Sequence, residues 1–485
     1  MYLGLDLGTS GLRGILVDDA GSVAGSAESI ILTSSSKPGW SEQSPLDWVE
    51  ACKEVVSQLR AAHGNAFSAL RGIGLSGHMH GATLLDANGN VLRPCILWND
   101  TRASKEAEIL DQLPGMRSSS GNIVFPGFTA PKLEWVRANE PDLFAKTAKV
   151  LLPKDYLRLW LTGDYVSDMS DSAGTSWLDV GARRWSETAL EQSHMNIEQM
   201  PRLVEGSDPG GELRSELEQE WGVSGPVVIA GGAGDNAAAA CGIGSTSDGA
   251  GFLSLGTSGV LLVSRDIYAP APETAIHSFC HSVPDRWIQM GVILSATNSL
   301  NWLSRNLGQS VGDMIASLPA DLDGPSEITF LPYLSGERTP HNDSAIRGAF
   351  LGVDISSETT DLTRAVMEGV AFAMRDCLEA LKSTGTKPTS LLAVGGGARS
   401  RYWLKNLATV LNTPLALPRG SEFGAAIGAA RLAMCAVNGA NPDSVMMSPK
   451  IDTVIEPRGD LIDAFENEYQ RYRQYYSALA PFAKR

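Results

Sequence analysis

The chain has 485 residues, 43% of them hydrophobic, which is enough for two or three domains that each bury a core. Its charged residues (19%) are dispersed among 50 glycines and 25 prolines without a low-complexity tract, which argues against both a small binding module and a largely disordered chain. A formal net charge of -16 without a compensating Lys/Arg cluster disfavours nucleic acid and acidic membrane surfaces, so an anionic ligand has to be met locally, by backbone N–H groups and a bound cation.

In chain order, residues 2–5 form an apolar run with strand character, Asp6-Leu7-Gly8-Thr9-Ser10-Gly11 follows as a small-residue turn, and residues 12–17 form a second run, so a hairpin is expected. Residues 45–62 and 103–113 have helical spacing, and 71–75 resembles a buried strand. A further apolar strand at 226–230 ends in Gly231-Gly232-Ala233-Gly234-Asp235-Asn236, ahead of an alanine-rich stretch. Residues 252–263 then repeat the opening plan: a strand, Gly256-Thr257-Ser258-Gly259, and a second strand. The pentapeptide LGTSG is identical in both places, 248 positions apart from Gly8 to Gly256, and both copies sit at a turn between two strands. Duplication is the better reading. Two α/β halves would face each other, each offering a turn whose small residues let N–H groups approach an anion. Helices at 361–382 and 401–411, a strand at 390–394 and an amphipathic terminal helix at 460–479 complete the alternation. This divides the chain into residues 1–245, 246–450 and a terminal helical segment, 451–485.

The six cysteines (Cys52, Cys95, Cys241, Cys280, Cys377, Cys435) are scattered singly and read as reduced thiols. With no basic leader before an apolar segment and no run near the ~20 apolar residues of a membrane span, a cytoplasmic protein is expected.

Several residues invite a chemical reading beside a bland one. Asp6 could hold magnesium through water, since that ion needs only one or two protein carboxylates, or could merely stabilise its turn. The second copy carries Ser254 at the equivalent place, so one metal ion between two phosphate turns favours the functional reading. Asp235, at a strand end just before a helix, is either an N-cap or a general base for phosphoryl transfer. Gly395-Gly396-Gly397 at a strand-to-helix turn fits a nucleotide or tight packing equally well. Residues 424–430, Gly-Ala-Ala-Ile-Gly-Ala-Ala, read as a small-residue helix face for close interdomain packing. His78 and His80, and His277 and His281, have metal-ligand character, yet no Cys or His cluster completes a site. Trp98 and its polar neighbours suit the wall of a polyol pocket.

Taken together, these motifs resemble the FGGY carbohydrate kinases over nearly the whole chain. DLGTSG (6–11) is similar to the family's first phosphate loop and SLGTSG (254–259) to the second. GFTAPKLEWVRANE (127–140) and GAFLGVDISSETTDLTRAVMEG (348–369) are similar to its two signatures, and GGGARS (395–400) to its adenosine loop. The stretches MHGATLLD (79–86), ILWND (96–100), 151–175 and FLPYLSGERTPHN (330–342) resemble the members that act on D-xylulose.

The resemblance implies two actin-like (ribonuclease H-like) α/β domains with the active site in the cleft between them. It also implies ATP-dependent phosphorylation of D-xylulose to its 5-phosphate, with magnesium. Asp235 would be the catalytic base and Asp6 the magnesium-associated aspartate. Met79, His80, Trp98, Asp235 and Asn236 would contact the sugar. Gly8, Thr9, Ser10, Arg13, Gly256, Thr257, Asn301, Gly396 and Gly397 would contact the nucleotide. The partners implied are sugar and ATP alone, in a chain that could pair as a homodimer. Another pentulose such as D-ribulose, or a pentitol, is the alternative substrate, and a non-catalytic actin-like scaffold or sugar sensor is the alternative class. Three positions depart from the usual pattern: His78 replaces a glutamine, Ala425 a proline and Thr409 an aspartate.

Overall fold

In the computed structural model, which describes residues 1–419 and 424–483, the repeated pentapeptide marks two seven-stranded sheets of one plan. The first contains β1 (Tyr2–Gly8), β2 (Gly11–Val17), β3 (Val23–Ile30), β4 (Gly72–Gly77), β5 (Pro209–Glu212), β6 (Val228–Ala230) and β7 (Ala233–Gly234). Its order is β5-β6-β4-β1-β2-β3, with β7 also paired to β4. The second contains β8 (Gly251–Leu255), β9 (Gly259–Arg265), β10 (His277–Cys280), β11 (Trp287–Ile293), β12 (Leu391–Val394), β13 (Leu415–Pro418) and β14 (Ile451–Ile455), in the order β10-β11-β9-β8-β12-β13-β14. In each, an antiparallel hairpin (β1-β2, β8-β9) lies beside a parallel neighbour (β4, β12). The same four-strand core thus occurs twice, β4-β1-β2-β3 and β12-β8-β9-β11. That is the actin-like arrangement.

Helices cover the sheets where apolar periodicity predicts them. α1 (Pro45–Phe67) starts on a proline at its first position and buries Trp48, Cys52, Val55, Val56 and Leu59 on one face. α2 (Pro153–Thr162) packs nearby, and α3 (Asp235–Ile243) follows β7. In the second half, α4 (Thr359–Ser383) opens with a reciprocal Glu358–Asp361 cap and buries its stripe through Val366, Val370, Met374 and Leu378. α5 (Arg401–Leu411) covers the same core and has the expected bounds.

The small-residue segment forms α6 (Ala425–Asn438), and its role is tighter than packing of two domain faces. Although it follows β13 of the second sheet, it lies against β1, β4 and α3 of the first half. A Cβ at Gly4 would stand 1.9 Å from the Ala426 carbonyl oxygen, and one at Gly74 1.8 Å from that of Ala429. A Cβ at Gly428 would stand 1.8 Å from the Ala238 carbonyl oxygen. One hydrophobic cluster accordingly joins Tyr2, Met79 and Ala238 to Phe252, Leu262 and Leu432.

The terminal segment is also more integrated than its helical pattern implies. β14 closes the edge of the second sheet against β13, and α7 (Ile462–Ala483) buries Phe465, Tyr469 and Tyr472 in that half's core. Residues 451–483 are therefore part of the second half, not a segment apart. All six cysteines are buried and free, and among the described residues no helix is long and apolar enough to cross a membrane.

Candidate active site

β1, β4 and β7 run parallel side by side, so their carboxyl ends open at one place. Asp6 is opposite Ser76, and Ala233 and Gly234 are opposite Ser76 and Gly77. The register brings the two candidate acids together. Asp6 accepts the Ser76 hydroxyl at 2.9 Å. Asp235 is the first helical residue of α3, with Gly234 at the N-cap, and its Oδ1 accepts the Asn236 backbone N–H at 2.7 Å and side-chain amide at 2.9 Å. The N-cap position itself belongs to Gly234, and Asp235 meets a backbone N–H of the first turn. Withdrawal from water pushes both carboxylic acids up, and the negative charge of Asp6 adds to the effect on Asp235, raised to about 7. Arg13 stands opposite Asp6 on β2, with its exposed guanidinium 3.6 Å from Glu28.

Met79 lines the same end, packed so closely on Gly234 that a Cβ there would be 2.8 Å from Met79 Cγ. His80 follows in a left-handed conformation (φ 71°), which is strained for a non-glycine residue and is held from three sides. Its carbonyl accepts Lys132 Nζ at 2.9 Å and Thr129 Oγ1 at 3.1 Å, and its ring Nδ1 lies 2.7 Å from the Gly174 carbonyl oxygen. The ring stacks on Phe128 at 4.5 Å, while β10 of the second half brings Phe279 to 6.2 Å. Burial lowers the His80 pKa to about 3, so the imidazole is neutral. Arg338 completes the seam, 4.1 Å above the Phe125 ring and 3.4 Å from His277.

Lys132, Phe128 and Arg338 went unremarked in the sequence, although each lies in a stretch quoted for its resemblance. A lysine within the apolar face of the helix Thr129–Asn139 was the available signal. His277 stacks on Phe279 at 5.2 Å, and no group of three metal-ligating side chains occurs among the described residues.

His78, the departure from the usual glutamine, is buried with its ring edge-on to Trp48 at 5.9 Å. Neither of its ring nitrogens has a partner among the described residues, and burial lowers its pKa to about 3, so it is neutral. Trp98 is half-exposed at the rim and donates its indole N–H to Thr9 Oγ1 at 3.0 Å, so it braces the first turn. Gln43 fixes the same turn by donating to the Thr9 carbonyl at 2.6 Å. Gly8 and Ser10 complete it, with Ser10 exposed.

In the second half, the carbonyls of Gly256 and Thr257 accept the N–H groups of Thr297 (3.0 Å) and Ala296 (2.9 Å), which seats that turn on the helix Thr297–Leu307. Asn301 is exposed one turn further along the helix. Gly395 has a positive φ of 89°, which favours glycine, and a Cβ there would in addition fall 2.7 Å from the Leu255 carbonyl oxygen. Gly397 is buried against Leu255 and Trp403, so packing accounts for it, whereas Gly396 faces open space. Gly256 and Thr257 thus follow β8 and Gly396 follows the adjacent parallel β12, so that small-residue backbone collects at one sheet end, as an anion-binding surface requires.

Residues 1–242 match the N-terminal domain of the FGGY family of carbohydrate kinases, and residues 251–437 match its C-terminal domain. The chain is 43% identical to a xylulose kinase from Escherichia coli (strain K12) over 487 residues, covering 99% of each chain. A crystal structure from Brucella ovis, called a xyloylose kinase, superposes with a TM-score of 0.98 at 57% identity over 99% of both chains. The crystal structure of xylulose kinase from Rhodospirillum rubrum superposes with a TM-score of 0.91 at 28% identity, covering 100% of this chain and 99% of that one. With both domains matched and relatives aligned from end to end, the chain is a carbohydrate kinase of the FGGY family.

Proposed function

We propose that this kinase transfers the γ-phosphoryl group of ATP to the terminal hydroxyl of D-xylulose, with Asp235 as general base. The observation that carries the reading is the convergence of Asp235, Asp6, Met79 and His80 at the ends of adjacent strands, in a chain whose second half repeats the sequence of the first turn. As the sugar oxygen forms its bond to the γ-phosphorus and the bond to the ADP oxygen breaks, the hydroxyl proton passes to an Asp235 oxygen. Asn236 holds that carboxylate in one orientation through two hydrogen bonds. Met79 and the neutral, stacked His80 shape and orient the sugar, while Gly8, Thr9 and Ser10 on one side and Gly256, Thr257, Gly396 and Asn301 on the other offer themselves to the nucleotide. Magnesium would be held by Asp6, whose carboxylate beside the Ser76 hydroxyl and near Asp235 suits an ion that keeps several waters and needs only one or two protein carboxylates, and would supply charge neutralisation at the phosphates.

Two measurements test this reading. Among D-xylulose, D-ribulose, L-ribulose, glycerol and gluconate at limiting concentration, D-xylulose should give the highest kcat/KM. A misplaced hydroxyl leaves a buried polar group unpaired at about 1–3 kcal/mol. A preference for any of the other four overturns the substrate and leaves the base in question untouched.

The second is pH. The base works only when ionised, and the Asp235 pKa is raised to about 7. kcat/KM should therefore fall by about tenfold per pH unit on the acid side of neutrality. An activity flat from pH 5 to about 8 would show that the Asp235 pKa is not raised in the working enzyme.

A further inference from the structure

Lys154 of α2 is fully buried and ringed by carboxylates: Asp155 at 2.5 Å, Asp168 at 2.7 Å and Asp171 at 3.2 Å. One turn along, the equally buried Arg158 donates to the carbonyls of Ala230, at 2.8 Å, and Gly231. The chemistry above uses neither cation. Stability does not explain them, because a well-packed apolar replacement for a buried ion pair is commonly as stable or more so.

What they hold is informative. Residues 230–234 connect β6 to α3 and deliver Asp235 to the site, yet little sheet pairing steadies them: β7 pairs with β4 over only two residues. Gly232 is in a left-handed conformation (φ 79°), and Gly231 lies so close to Glu205 that a Cβ would fall 2.0 Å from its carbonyl oxygen. Arg158 grips the start of this segment. A relay from Lys154 grips its end. Asp168 meets Lys154 with Oδ1, and with Oδ2 accepts the Ser170 hydroxyl and the Ser170 backbone N–H at 2.7 Å. The Ser170 oxygen in turn accepts the Gly234 N–H at 3.1 Å, one residue before Asp235.

We propose that Lys154, Asp168 and Ser170 are positioning residues for phosphoryl transfer: their buried relay, with Arg158, sets Gly234 and hence where the Asp235 carboxylate stands relative to the sugar hydroxyl. The proposal rests on Asp235 being the base. A catalytic group misplaced by about 1 Å can cost on the order of 100-fold, so loosening one end of the cradle has a measurable effect without unfolding the protein.

The test is a double-mutant cycle on the full-length enzyme, with magnesium and D-xylulose at saturation and ATP titrated. Ser170→Ala removes the hydroxyl that links the two ends of the relay, the acceptor for the Gly234 N–H and the donor to Asp168 Oδ2, and leaves the Lys154–Asp168 pair in place. It should lower kcat by roughly 10-fold while the KM for ATP stays within about twofold. Asp168→Asn, nearly isosteric, should act in the same direction. In an Asp235→Asn background, Ser170→Ala should change the residual turnover by less than about twofold, since there is no base left to misplace. A Ser170→Ala enzyme with wild-type kcat, or a loss of the same size in both backgrounds, overturns the proposal. If Asp235→Asn alone kept near-normal turnover, the base assignment itself would fail, which is a separate outcome.

Discussion

Asp235→Asn should yield a folded enzyme that still binds ATP and has lost turnover by about 100-fold or more. Asparagine has nearly the same shape, and its carbonyl oxygen can still accept both hydrogen bonds that Asn236 gives to Oδ1, at 2.7 and 2.9 Å. What disappears is the capacity to take a proton at the strand end where the sugar hydroxyl would stand. Stability should not fall with it. Burial and the Asp6 charge both disfavour the ionised Asp235 in the fold, raising its pKa to about 7. Such a group contributes least to stability above that pH, so at pH 8 the amide should melt no lower than the wild type. The measurements are sugar-dependent ADP release, nucleotide affinity and a thermal melt. Near-normal sugar-dependent turnover in a purified mutant would sink the general-base assignment, and a collapsed melting profile would show that the aspartate serves the fold instead.

How much of this was legible beforehand depends on whether a residue's meaning is local. The repeated LGTSG is local: a small-residue turn between two apolar runs specifies a hairpin, and two identical copies specify two halves. The bounds of α5 and the burial of α4 follow from 3.6-residue periodicity alone. Asp235 was legible as a residue with two readings, and what the backbone adds is its place, one residue past the Gly234 cap in the first turn of α3. The cradle was not legible. Charged side chains are mostly exposed, so nothing near Lys154 signals that three carboxylates will converge on it inside the protein. His78 shows the same limit in reverse. A histidine for a glutamine suggests a changed charge at the sugar, yet the side chain turns towards Trp48 and stays neutral. The small residues of α6 announced a close interdomain approach, and the structure adds its partners, β1, β4 and α3 of the first half, which composition does not name.

That contact carries the largest effect on folding. Gly74→Ala should cost more than the usual ~1–3 kcal/mol of overpacking and lower the melting temperature by on the order of 10 °C, or abolish soluble protein. The added Cβ would stand 1.8 Å from the Ala429 carbonyl oxygen and 2.4 Å from its carbon, both backbone atoms that no side-chain rotation can move aside. Relief requires moving α6 itself. The helix is not free to move, because Gly4 meets Ala426 at 1.9 Å by the same measure and Gly428 meets Ala238 of α3 at 1.8 Å. A shift away from β4 thus disturbs β1 and α3 together, and α3 begins at Asp235. Whatever fraction folds should therefore be slow as well as unstable. Gly225→Ala is the control: that glycine is exposed, nothing lies within 4 Å of its added Cβ, and its melt should stay within about 0.5 kcal/mol of wild type. If Gly74→Ala melted like Gly225→Ala, the helix would have room to yield, and the interlock between the two halves would be looser than the glycine contacts require.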